Sequence, residues 1–162
     1  MQDKREYSEI FVQLTTEFKD ESDRAVALLA AAYLDELLKD LIQTVMVIES
    51  EGIRKDLFKG GSAPLATFSS RILLSFCLGL ISQDQKIDLN HIRSIRNDFA
   101  HQLLGRSFNS DTIANSCSGL VGAKAGGASD SNRSAFVKSS VRLMVELIIK
   151  IQKTKEPIGG EE

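Results

Sequence analysis

The sequence predicts an all-α protein, an up-and-down bundle of about five helices forming one domain over residues 1–162. Three observations lead there. Only two prolines, Pro64 and Pro157, interrupt the chain. Apolar side chains recur at three- and four-residue intervals along most of it. Ala, Leu, Lys and Glu, all good helix formers, fill those periodic stretches. With 43% hydrophobic residues the chain has enough apolar surface for one core without metals or crosslinks.

The first helix is expected over Arg5–Phe18, where Tyr7, Ile10, Phe11, Leu14 and Phe18 fall on one face. Asp20 or Ser22 then caps a long second helix, with Asp23 at the positive end of its dipole. Its stripe of Val26, Leu29, Ala30, Tyr33, Leu34, Leu37, Leu41, Val45 and Ile48 runs to about Glu49. The next stretch, DLFKGGSAPLATF, reads as a connection turned by Gly60 and Gly61. It is not a phosphate-binding loop, because Ser-Ala-Pro follows the glycines where Lys and then Ser or Thr would be needed.

A third helix is expected from Leu65 to Ile81, with Arg71 and Ser75 marginal on its face, and Ser82, Gln83 and Asp84 ending it. The fourth covers Ile87 to Leu104. From Gly105 to Asn132 the composition turns to Gly, Ser, Asn and Asp, which reads as a flexible loop or insertion at 105–132, with room for a short helix near Thr112–Cys117. The last helix spans Ser134 to about Thr154, and EPIGGEE reads as a frayed end.

Charge and composition exclude several functions. Twenty basic against twenty-two acidic residues give a formal charge of −2, so the broad basic field of a non-specific DNA binder is absent. No tryptophan and two tyrosines argue against a stacking platform for single strands. The longest apolar run, VALLAAAYL, stops at Asp35 and Glu36, well short of the roughly 18 residues of a membrane helix. MQDKREYSEI lacks the basic-then-apolar order of a signal peptide, so a cytoplasmic protein is expected. Cys77, in an apolar run, reads as a small buried residue, and Cys117, in a polar stretch, as a stray thiol; neither has metal-site or redox-pair spacing, and no metal or cofactor is expected.

The chemistry concentrates in HIRSIRNDFAHQLL, His91 to Leu104. With Arg93 at zero on an ideal helix, Asn97 falls at about 40°, His101 at about 80° and Arg96 at about 300°. Ile92, Ile95, Phe99 and Leu103 form the opposite, buried stripe. Arginine offers a permanently charged fork that fits phosphate oxygens, histidine exchanges a proton near neutral pH, and asparagine positions without adding charge. An RNA phosphodiester brings its own nucleophile in the 2′-hydroxyl, so a base, an acid and a cation suffice there without a metal. The same residue types also make an ordinary solvated helix face, and His91 lies outside this sector as plain helix surface.

Arg96-Asn97-Asp98-Phe99-Ala100-His101 resembles the Arg-polar-x-x-x-His signature of HEPN domains. The wider pattern resembles the mannitol operon repressor family within that group, through AAAYLDELLKDLI from Ala30, LFKGGSAPLATFSSRILLSFCLGLI from Leu57 and IRSIRNDFAH from Ile92. The resemblance implies a helical bundle, commonly a homodimer whose motif helices face one another across a cleft. It also implies an RNA or nucleotide site, with a metal-independent endoribonuclease among the activities of the group. Arg96 would then stabilise the charged transition state, His101 would act as acid or base and Asn97 would position them. Arg93 would add phosphate affinity, an inference from its helix face alone. Asp35 would orient Arg96 or His101, unless Asp35, Glu36 and Asp40 are solvated or paired with lysines such as Lys39, and Arg71 reads as a surface ion pair. The same resemblance supports a different reading, a non-enzymatic transcriptional regulator acting through a protein partner; a toxin with a cognate antitoxin is the corresponding partnership for the nuclease.

Overall fold

The structure, a computed structural model, describes residues 2–102, 104–124 and 131–155. Among these residues every regular element is a helix: α1 (Gln2–Glu17), α2 (Asp23–Val45), α3 (Glu51–Phe58), α4 (Phe68–Cys77), α5 (Gln83–His101), α6 (Asp111–Ser118), α7 (Val121–Lys124) and α8 (Asn132–Lys155). The long α2 is central and packs against α4, α5 and α8, while α8 also covers α1, α6 and α7. Tyr7 of the expected first stripe, Leu103 of the motif helix and the EPIGGEE end lie outside the residues whose side chains are described.

Ser22 starts α2 by accepting the Ala25 amide at 3.1 Å. The helix buries Val26, Ala27, Ala30, Ala31, Leu34, Leu38 and Leu41 on one continuous face. It ends at Val45, earlier than its apolar pattern suggests. Met46 is extended, Val47 is 87% exposed, and Ser50 caps a separate helix, α3, in part of the stretch expected to be a connection. Phe58 of α3 packs with Ile42 and Leu65 in a small second core. Periodicity misses such a break because the residues on both sides of it are apolar.

The third expected helix is also shorter. Thr67 caps α4 through the Ser70 amide, and Gly79, at φ 68°, ends it. The Leu80 amide reaches the Ser75 carbonyl at 2.8 Å and the Gly79 amide the Phe76 carbonyl at 3.0 Å, the paired bonds of a left-handed glycine cap. Ser82 therefore does not end one helix but starts the next. Its hydroxyl accepts the Gln85 amide while the Gln85 side chain accepts the Ser82 amide, so α5 begins at Gln83 instead of Ile87.

The segment expected to be a Gly/Ser-rich loop is largely packed where it is described; residues 125–130 lie outside the described residues. Phe108, Ile113, Cys117 and Leu120 are all buried, and Phe108 stacks between Phe99 and Phe136 with ring centroids 5.2 and 5.0 Å away. The apolar spacing of these four residues outweighs the polar residues between them. The cysteines are accordingly reversed: Cys77 is exposed, and Cys117 is buried with its thiol pushed up to about 12. His91 is half-buried over Gly119, where a Cβ would come within 2.4 Å of its Nε2, so it is not plain helix surface.

Two polar anchors hold this segment. Arg133 of α8 donates to Asp23 Oδ1 at 2.6 Å and to the Phe18 and Glu21 carbonyls, and Asp23 Oδ2 accepts the Phe108 amide at 3.1 Å. Asp88, fully buried on α5, accepts the Val121 and Gly122 amides at 2.6 and 3.0 Å and pairs with Arg142 at 3.4 Å. Removing that carboxylate leaves two amides without their acceptor and Arg142 with Glu146, 3.6 Å away, as its remaining carboxylate. Asp88→Ala is expected to lower unfolding stability by about 2–4 kcal/mol in urea titration and to speed hydrogen exchange at the Val121 and Gly122 amides. An unchanged midpoint with unchanged exchange would show that Asp88 is not the anchor of α7.

Candidate functional site

Burial of Asp88, Leu89, Ile92, Ile95 and Phe99 fixes the rotation of α5 and turns its other face outward, as the sequence indicates. On that face Arg96 and His101 are exposed, and Arg93 and Asn97 are half-buried. Arg96 donates from Nη1 to Asn97 Oδ1 at 3.0 Å, so these two side chains form a neighbouring pair. His101 is the last residue of α5, and no described residue hydrogen-bonds its ring. The Nε of Arg93 is buried without an acceptor among the described residues.

Asp35 comes up to this face from α2. Its Oδ1 lies 2.9 Å from Nη1 of Arg71, and Arg96 is close enough for its positive charge to favour the ionised carboxylate. Burial acts against that charge and dominates, holding the Asp35 carboxyl above its ordinary range despite Arg71 and Arg96, with Glu36 adding to the rise. Of the three acids expected to be solvated or paired with lysines such as Lys39, Glu36 makes that pair: Lys39 sits 2.7 Å from it and, with Arg71, draws the Glu36 carboxyl below its ordinary range, while Asp35 pairs with Arg71 instead.

Arg71 is not a surface ion pair, since only 5% of the residue is exposed. Its Nε donates to the Leu65 carbonyl at 2.9 Å, its Nη1 reaches the Asp35 carbonyl at 3.3 Å and Glu36 at 3.6 Å, and its guanidinium lies 5.9 Å from the Phe58 ring centroid. One guanidinium thus joins α2, α4, the loop before α4 and the end of α3. Sequence reasoning missed this role because an arginine inside an apolar run reads as marginal, and its partner Asp35 is 36 positions away. A trace of it existed in Arg71 lying between Phe68 and Ile72 on the inward side of its helix.

The arrangement therefore brings together Asp35, Arg71, Arg96 and Asn97, while His101, one turn beyond Asn97 at the end of α5, makes no hydrogen bond to them. Its chemistry is that of an outward guanidinium braced by an amide and backed by a partly buried carboxylate, suited to an anion or to a carboxylate-bearing surface. Among the described residues no group of three or more His, Cys, Asp or Glu stands where it could hold a metal ion, and no helix is long and apolar enough to cross a membrane.

No family model matches the chain, and no curated protein matches it. Its fold is similar to that of MtlR, the mannitol operon repressor, in the X-ray structure of the MtlR–HPr complex from Escherichia coli, with a TM-score of 0.65 over 88% of this chain and 98% of that one. At 20% identity the likeness is one of fold, which is all-α and MtlR-like.

The Asp35–Arg71 pair carries a stability prediction. Asp35→Ala leaves the buried guanidinium short of a carboxylate and is expected to cost about 2–4 kcal/mol, whereas Asp35→Ala combined with Arg71→Met is expected to cost clearly less than the sum of the two single changes. Urea unfolding of the four proteins measures this. Additive losses would mean that the two side chains do not act as a pair.

Proposed function

We propose that this chain is a regulator of the mannitol operon repressor type, working by contact with a protein partner in the cytoplasm, and that the partner is HPr. One observation carries the reading: the fold likeness extends over nearly all of both chains, and the similar protein was crystallised with HPr. The mild net negative charge agrees with a protein partner better than with a nucleic acid, because no broad basic field is available to hold a phosphate backbone.

A second reading has its own support in the Arg96–Asn97 hydrogen bond and the carboxylate of Asp35 behind Arg96. In this reading the chain is a HEPN-type RNA- or nucleotide-binding protein. Two copies pair so that Arg96 and His101 from both meet in one cleft. The guanidinium of Arg96 stabilises the extra negative charge as a 2′-hydroxyl attacks its own phosphodiester; one His101 takes the hydroxyl proton and the other copy's protonates the 5′-oxygen as the P–O5′ bond breaks, leaving a 2′,3′-cyclic phosphate. Asn97 holds Arg96 in place, Arg93 binds a neighbouring phosphate, and Asp35 orients Arg96 from behind. An antitoxin would be the natural partner of such an enzyme.

Calorimetric titration with Escherichia coli HPr and with the HPr of the chain's own genome separates the two, run beside incubation of the protein with mixed single-stranded RNA in EDTA. The regulator reading expects saturable binding of HPr and intact RNA. RNA cleavage that disappears in both Arg96→Ala and His101→Ala, with no heat from either HPr, would overturn it and establish the nuclease.

A further inference from the structure

Between α1, α2 and α8 lies a groove of about 290 Å³ on a part of the surface that neither reading of the motif helix uses. Its floor is apolar, made by Leu37 of α2 and by Met144 and Ile148 of α8. Glu17, Glu36 and Asp40 stand around it; Lys39 holds Glu36 at 2.7 Å and Arg71 lies 3.6 Å from it, which leaves Glu17 and Asp40 as the carboxylates without an ion pair among the described residues. Tyr33, 37% exposed at the groove, donates its hydroxyl to Glu17 Oε1 at 2.7 Å and ties the α1 wall to the α2 wall. On α2 the residues Tyr33, Glu36, Leu37 and Asp40 follow the three-and-four spacing of one helix face, beside the stripe buried in the core.

We propose that this groove is a docking site for a partner protein that presents a lysine or arginine side chain next to apolar residues. A long basic side chain is apolar along its stem and charged at its tip, which matches an apolar floor inside an acidic rim. The stem would lie on Leu37, Met144 and Ile148, the cation would face Asp40, with the Lys39-paired Glu36 beside it, and the Tyr33 ring offers its π-face. Asp40 has no ion pair among the described residues and takes the cation without losing another contact. A wholly apolar helix fits worse, because it would strip water from three carboxylates and return nothing. A phosphate backbone is repelled. The inference rests on the protein-contact reading and adds to it the surface used and the chemistry of the partner.

The test uses the full chain and a labelled synthetic amphipathic peptide of leucine and lysine, followed by fluorescence anisotropy, beside a peptide with glutamate in place of lysine. The doubly altered chain Glu36→Gln with Asp40→Asn is expected to bind the lysine peptide about tenfold more weakly than the unaltered chain, and the glutamate peptide is expected not to bind. A control that removes the same charge elsewhere, Glu49→Gln with Asp56→Asn, is expected to change affinity less than about twofold. Equal losses in the two altered chains would overturn the proposal, since general acidity would then explain the binding. Spermidine that displaces the peptide and by itself raises Tm would also overturn it, making the occupant a small free amine. HPr that binds the unaltered chain and the Glu36/Asp40 variant equally would remove the groove and leave the regulator reading standing. Absence of HPr binding, with the peptide pattern intact, would remove HPr as the partner and support the groove.

Discussion

The close approach of neighbouring helices to α2 depends on Ala27, Ala30 and Ala31, which are at most 2% exposed on its inward face. A helix that touches α4, α5 and α8 has to be narrow somewhere, and methyl side chains let a neighbouring backbone come near without leaving voids. Larger residues of the same face, Leu34, Leu38 and Leu41, fill the core farther along the helix. The outward face of the same helix is thereby fixed as well. Its rotation sets Asp35 toward Arg71 and Arg96 on one side and Glu36, Leu37 and Asp40 toward the α1–α8 groove on the other.

Two surfaces of different character therefore share one scaffold. The first centres on Arg71, whose burial is tolerated because carbonyl oxygens and carboxylates surround it. It holds α3 and α4 against α2 and leaves Arg96, braced by Asn97, as the outward cation next to Asp35. The second is apolar inside and acidic outside. On the protein-contact reading proposed above, separate positive and negative recognition features would each select partners by complementarity and reject those of like charge.

Much of the helical core was legible from the amino-acid order, and the reasons for the exceptions are physical. Ile92, Ile95 and Phe99 are buried as their spacing implies, and the outward position of Arg96 follows from them. Helix ends were harder to place, because periodicity carries no information on a break such as Met46 or a positive-φ cap such as Gly79. In the stretch after Gly105 the short helix near Thr112–Cys117 is present as α6, whereas the Gly- and Ser-rich composition concealed the burial around it. Four apolar residues sufficed to pack it, and the buried Asp88 that pins it comes from another helix. For the candidate site, the sequence placed Arg96 and Asn97 on one face, but the Asp35–Arg71 pair that sets a carboxylate near Arg96 arises only when α2, α4 and α5 assemble.

The most direct test of this account compares two adjacent alanines of α2. Ala30 is fully buried, whereas Ala32 is exposed on the opposite side. If the narrow face of α2 sets the spacing of the bundle, Ala30→Leu lowers unfolding stability by about 1–3 kcal/mol or more, measured by urea titration, while Ala32→Leu stays within about 0.5 kcal/mol of the unaltered chain. Equal stabilities for the two variants would contradict it, because the helices around α2 would then have room that a bundle organised on those methyl groups does not possess.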